Sequence, residues 1–114
     1  MASRGRPHVH GNDDTLREME RRRYLVAYDI SDDKRRNEVF RTLRDAGDHA
    51  QYSVFFCELS VRELTTLRGD LSATIHHRDD QVLILDLGKA KNPLDGSLEC
   101  IGRAYEPCAR VFVV

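Results

Sequence analysis

Tyr24-Leu-Val-Ala-Tyr-Asp-Ile30 is the stretch on which the reading of this chain turns. Its aromatic, aliphatic and β-branched side chains suit a pleated, packed surface, so the segment reads as a strand. Apolar groups fall on both of its faces, which places it centrally in a sheet with both sides covered. Asp29 breaks that pattern. Alternation along a strand puts Asp29 on the face of Leu25 and Ala27, with Tyr28 on the opposite one.

Downstream, Ser31 is a suitable N-cap, and Asp32 and Asp33 complement the positive end of a helix dipole. The helix is expected to run to about Ala46, with Val39, Phe40 and Leu43 inward and Gly47 as its C-terminal stop. Its outer surface carries Lys34, Arg35, Arg36, Arg41 and Arg44. A second strand is expected over Gln51-Tyr-Ser-Val-Phe-Phe-Cys-Glu58, with Phe55 and Phe56 on opposite faces. Ser60 and Glu63 then form a capping box, and Leu59 and Leu64 occupy staple positions. Leu64, Leu67, Leu71 and Ile75 recur at helical spacing. A third strand follows at Gln81-Val-Leu-Ile-Leu-Asp-Leu87, then a loop over residues 88–96 marked by Asn92-Pro93 and Asp95-Gly96. Short strands are expected near Glu99 to Tyr105 and at Arg110 to Val114.

Upstream the chain changes character. Residues 1–18 mix Gly, Pro, His, Asn, Asp and Arg with few large apolar groups, so they read as a flexible extension. Met19 is the alternative natural start, and residues 19–114 read as one domain. A chain of 114 residues supports one modest core, and 40% apolar with 32% charged residues describes a globular protein. No apolar run approaches the roughly 20 residues that span a bilayer, and the first residues lack a signal peptide's apolar centre. Cys57, Cys100 and Cys108 match no zinc or redox spacing, so reduced thiols and a cytoplasmic location are expected. A net charge of −1 excludes a uniformly basic DNA-coating protein, although one basic face remains compatible with it.

This order of elements reads as an α+β fold, a ferredoxin-like βαββαβ sandwich with a β-rich C-terminal tail. Both helices would pack on one face of an antiparallel sheet. The other face is apolar with no helix left to cover it, which points to a homodimer.

Two stretches, Tyr24-Leu-Val-Ala-Tyr-Asp-Ile-Ser-Asp-Asp-Lys-Arg-Arg-Asn37 and Gln51-Tyr-Ser-Val-Phe-Phe-Cys57, resemble the strand-one and strand-two motifs of the CRISPR-associated Cas-two family. The resemblance extends through Leu64 to Leu87 and weakens after Gly88. It implies a ferredoxin-like homodimer that acts with the CRISPR integrase in spacer acquisition, bridging integrase dimers and holding protospacer DNA. It also implies a metal-dependent endonuclease activity on RNA or double-stranded DNA, using Mg²⁺ or Mn²⁺. The family's catalytic aspartate matches Asp29.

The residues give that assignment a physical content. Two Asp29 carboxylates brought together across a twofold axis repel one another unless a proton or cation intervenes. A hard cation would bind them through oxygen, so Asp29 is the candidate catalytic and metal-ligating residue. The bland reading is an aspartate that ends its strand or caps the next helix. Arg35 and Arg36, with Lys34, form the basic cluster expected to meet phosphate, because a guanidinium fork can donate two parallel hydrogen bonds. Ser53 is a further candidate for orienting a water or a phosphate. Two other functions stay open on the same fold: a toxin-like ribonuclease, and a non-enzymatic dimeric binding module. The histidine pairs His8/His10 and His76/His77 lack partners at metal-site spacing and are set aside.

Overall fold

The computed structural model describes residues 20–94 and 98–106. The N-terminal extension, the start at Met19, the Asp95-Gly96 turn and the strand expected at Arg110 to Val114 lie outside the described residues. Within them the order is β1 (Arg22–Asp29), α1 (Asp33–Ala46), β2 (Gly47–Gln51), β3 (Val54–Leu59), α2 (Val61–Thr74) and β4 (Gln81–Lys89). The strands form one sheet in the order β2-β3-β1-β4, with every neighbouring pair antiparallel. This is the α+β, βαββαβ arrangement expected from the sequence.

The stretch expected as one strand from Gln51 to Glu58 is the closing half of a hairpin. Gln51 ends β2, Tyr52 and Ser53 make the turn, and β3 begins at Val54. β2 is the short, polar edge strand Gly-Asp-His-Ala-Gln, which follows α1 with no intervening loop. Residues 98–106 contain no strand, so the strand expected near Glu99 to Tyr105 does not form among them.

Helix α1 is capped one residue later than expected. Asp32, not Ser31, is its N-cap: the backbone there is extended, and the carboxylate accepts the Arg35 N–H at 2.9 Å. A carboxylate at that position also complements the helix dipole, which a serine hydroxyl cannot do through charge. In α2 the capping box forms as expected, with Ser60 and Glu63 each accepting the other's backbone N–H.

The core lies between the helices and one sheet face. Tyr24, Val26 and Tyr28 of β1 and Phe55, Cys57 and Leu59 of β3 meet Val39 and Leu43 of α1 and Leu64, Leu67 and Leu71 of α2. The opposite face carries Leu25, Ala27 and Asp29, flanked in register by Val54 and Phe56 on one side and Gln81, Leu83 and Leu85 on the other. It is covered unevenly. On the β3 side residues 98–106 lie across it, with the Phe56 and Tyr105 rings 5.5 Å apart and a groove of about 810 Å³ between segment and sheet. On the β4 side Leu83 and Leu85 remain 55% and 57% exposed.

Candidate active site

Asp29 is the last residue of β1, paired across the sheet with Gln81, the first residue of β4. Its side chain is exposed and has no hydrogen-bond or ion-pair partner among the described residues. The backbone on either side of it is held. Tyr28 N–H donates to the Ser53 carbonyl at 3.1 Å, joining the strand end to the β2–β3 turn. Arg36 Nη1 donates to the Ile30 and Ser31 carbonyls, both at 3.1 Å, and Arg36 Nη2 meets the Asp33 carboxylate. The backbone on either side of Asp29 is thus held, while its carboxylate is exposed and without a partner among the described residues.

The basic cluster divides in three. Arg36 is engaged with its own loop. Arg35 is engaged with Asp80, through Nε at 2.7 Å and Nη2 at 3.2 Å. Lys34 is exposed, with no hydrogen-bond or ion-pair partner among the described residues. Ser53 stands in the hairpin turn rather than in a strand, half-buried, with its carbonyl used by Tyr28.

Asp80 was not singled out by the sequence, yet it organises this end of the sheet. Its side chain is fully buried, and it accepts the bidentate Arg35 guanidinium and the His76 N–H at 2.8 Å. The pair ties the first turn of α1 to the segment that leads from α2 into β4, one residue before the neighbour of Asp29. No spacing rule reveals an ion pair spanning so much of the chain; the run Asp79-Asp80 just ahead of a strand is the sole local sign of it. The Arg35 hydrogen bonds, followed by the His76 N–H, hold the Asp80 carboxyl below the usual carboxylate range.

That depressed value fixes the sign of a pH effect. The contribution of Asp80 to stability is complete above the carboxylate's unfolded value of about 3.9 and is lost as pH falls through the lower folded value. Melting temperature should therefore fall on acidification below about pH 4, and Asp80→Asn should flatten that part of the curve. Thermal melts across the acid range check this.

The remaining aromatic and histidine groups are settled by packing. Phe55 is fully buried under the helices, and Phe56 faces the other way, towards Tyr105. His49 packs against Phe40 and Phe55, with ring centroids 5.1 and 4.8 Å away, and its Nε2 bonds the Tyr52 carbonyl at 2.8 Å.

An antiparallel sheet in the order β2-β3-β1-β4 with both helices on one face defines a small α+β protein of ferredoxin-like fold, and Asp29 stands at the rim of the helix-free face. Comparison with known proteins narrows the class. The family profile described as CRISPR associated protein Cas2 matches residues 22–92. A Rhodospirillum rubrum protein named CRISPR-associated endoribonuclease Cas2 1 is 38% identical over 91 residues, covering 80% of this chain and 88% of that one. A Geobacter sulfurreducens protein named CRISPR-associated endoribonuclease Cas2 is 34% identical over 91 residues, covering 80% and 95%. Among solved structures, Streptococcus pyogenes Cas2 superimposes with a TM-score of 0.62 at 28% identity, over 70% of this chain and 99% of that one. A Thermus thermophilus protein described as hypothetical does so with a TM-score of 0.65 at 33% identity, over 76% and 98%.

The chain belongs to the CRISPR-associated Cas2 family. Among the described residues, no helix is long and apolar enough to cross a membrane.

Proposed function

We propose that this protein acts in CRISPR spacer acquisition as a homodimer that bridges integrase dimers and holds protospacer DNA, and that it carries a metal-dependent endonuclease site for RNA or double-stranded DNA at Asp29. The observation that carries the reading is the free Asp29 carboxylate beside the bare apolar strip of Leu83 and Leu85. A second copy packed on that strip would bury the leucines and bring the two carboxylates towards one another. The names of the relatives, endoribonuclease in Rhodospirillum rubrum and endonuclease in Thermus thermophilus, support the nuclease half.

The residues fit a hard divalent cation, with one condition. An exposed carboxylate without a protein partner offers the oxygen ligand that Mg²⁺ or Mn²⁺ prefers. Among the described residues, no group of three or more His, Cys, Asp or Glu could hold a metal ion, so one chain offers a half-site that a second Asp29 completes. When bound, the cation would offset carboxylate repulsion and polarise a phosphoryl oxygen. The chain's own groups do the rest. Arg36 and the Ser53 carbonyl hold the backbone on either side of Asp29, Arg35 fixes the start of the neighbouring strand through Asp80, and Lys34 draws in phosphate without reading sequence. In this reading Arg35 and Arg36 act on the nucleic acid mainly by shaping the site, and the Ser53 hydroxyl orients a water or a phosphate.

A spacer-acquisition assay with the partner integrase tests the scaffolding half. Wild type and Asp29→Ala should acquire spacers at similar rates, because neither the apolar strip nor the fold depends on that carboxylate. Loss of acquisition in Asp29→Ala, with the dimer intact, would overturn scaffolding as the main role.

A further inference from the structure

Asp29 has a cross-strand neighbour to which no role has been given. In register, the helix-free face reads Leu25 opposite Leu85, Ala27 opposite Leu83, and then Asp29 opposite Gln81. The apolar strip thus ends in a polar pair at its rim. Residues directly opposite on antiparallel strands share a face, with Cβ atoms about 4.5–5.5 Å apart. Gln81 is exposed, and like Asp29 its side chain has no hydrogen-bond partner among the described residues. The chain beside each of them is held from the first turn of α1, by consecutive arginines. Arg36 donates to the carbonyls of Ile30 and Ser31, which follow Asp29. Arg35 donates to the carboxylate of Asp80, which precedes Gln81, and the Asp80 N–H is tied to the His76 carbonyl at 2.9 Å.

An amide beside a carboxylate has a specific use. Its carbonyl oxygen is a hard, neutral ligand, of the kind that divalent cations accept alongside carboxylates and water. A second carboxylate there would add to the repulsion between two Asp29 side chains. An aliphatic side chain such as that of Leu83 would offer no oxygen at all. We propose that Gln81 is a second cation ligand, its amide carbonyl joining the Asp29 carboxylate in the half-site that each chain contributes. This rests on the reading of Asp29 as a metal-dependent site, and it adds to that site a donor from a different strand. The amide N–H groups stay free to donate to a neighbouring carboxylate or phosphate oxygen.

The test is Mn²⁺ titration of the full chain followed by electron paramagnetic resonance, without nucleic acid, so that binding is read apart from cleavage. Gln81→Met keeps the length of the side chain and removes the carbonyl. It should weaken Mn²⁺ binding about tenfold, the lower end of what losing a supporting group costs a metal site. Gln81→Glu places a charged oxygen in the same position and should tighten binding by a similar factor. Because Gln81 is exposed and bonds nothing among the described residues, Gln81→Met should melt as wild type does. Mn²⁺ affinity in Gln81→Met equal to that of wild type, with binding lost in Asp29→Ala, would overturn the inference and leave the Asp29 reading intact. So would a shift of metal-free Gln81→Met from dimer to monomer in sedimentation, which would make the amide a protein contact. A wild type that binds no Mn²⁺, or an Asp29→Ala variant that binds it as wild type does, would overturn the Asp29 reading as well as the inference.

Discussion

Asp29→Ala should abolish divalent-cation-dependent cleavage of RNA and DNA, lowering its rate by about a hundredfold or more, the order seen when a group that organises the reacting atoms is removed. The same change should leave the fold untouched. The carboxylate is exposed and bonds nothing among the described residues, so its loss falls among surface substitutions, within roughly 0.5 kcal/mol. It should not weaken the proposed dimer either, since it removes two like charges from the face where the copies would meet. Asp29→Asn should behave in the same way, because the amide keeps the shape and loses the charge. Cleavage assays with Mg²⁺ or Mn²⁺, paired with thermal melts, check both halves. Undiminished cleavage in Asp29→Ala would remove the site from this residue.

Gly47→Ala should destabilise the protein by about 1–3 kcal/mol, the usual range for forcing extra volume into a packed region, and Gly47→Val by more. Gly47 closes the last turn of α1 by donating its N–H to the Leu43 carbonyl, and it is also the first residue of β2, opposite Cys57. Its φ of −165° is ordinary extended backbone, so conformational freedom is not the reason for a glycine here. The reason is space. A Cβ at this position would strike the Phe56 carbonyl oxygen and both the backbone and side chain of Cys57. Two of those obstacles are main chain in the middle of a paired strand and cannot swing aside. The gain an alanine normally brings over glycine in a strand, roughly 0.5–1 kcal/mol, is too small to compensate. Denaturant unfolding measures the difference, and an alanine variant as stable as wild type would show that β2 can move away from β3.

Gly47 also shows how far sequence reasoning reached. A glycine after a helical pattern reads as a left-handed stop, and the helix does end there, but a different physics ends it: the chain passes straight into an edge strand. That strand was hidden because Gly-Asp-His-Ala-Gln is polar and short, and because the turn at Tyr52-Ser53 lacks the Asn, Gly or Pro that marks a tight hairpin. The central strand, the capping box at Ser60 and the face assignments of Tyr28, Asp29, Phe55 and Phe56 were legible, since each rests on alternation or on a local hydrogen-bond pattern. Asp29 stood out for the same reason, as a charge interrupting an apolar run. The partners of Arg35 were not legible. Sequence shows a guanidinium available for phosphate; only the folded chain brings the buried Asp80 against it. Residues 98–106 showed the converse: Tyr105 packs on Phe56 from irregular chain, with no strand among these residues.

The central claim is that Asp29 is half of a site, completed by a second chain and a cation. Mn²⁺ titration of the purified dimer, followed by electron paramagnetic resonance, tests it most directly. The expected result is one bound ion per two chains, lost in Asp29→Ala while the dimer persists. One ion per chain, or binding unchanged in Asp29→Ala, would contradict it.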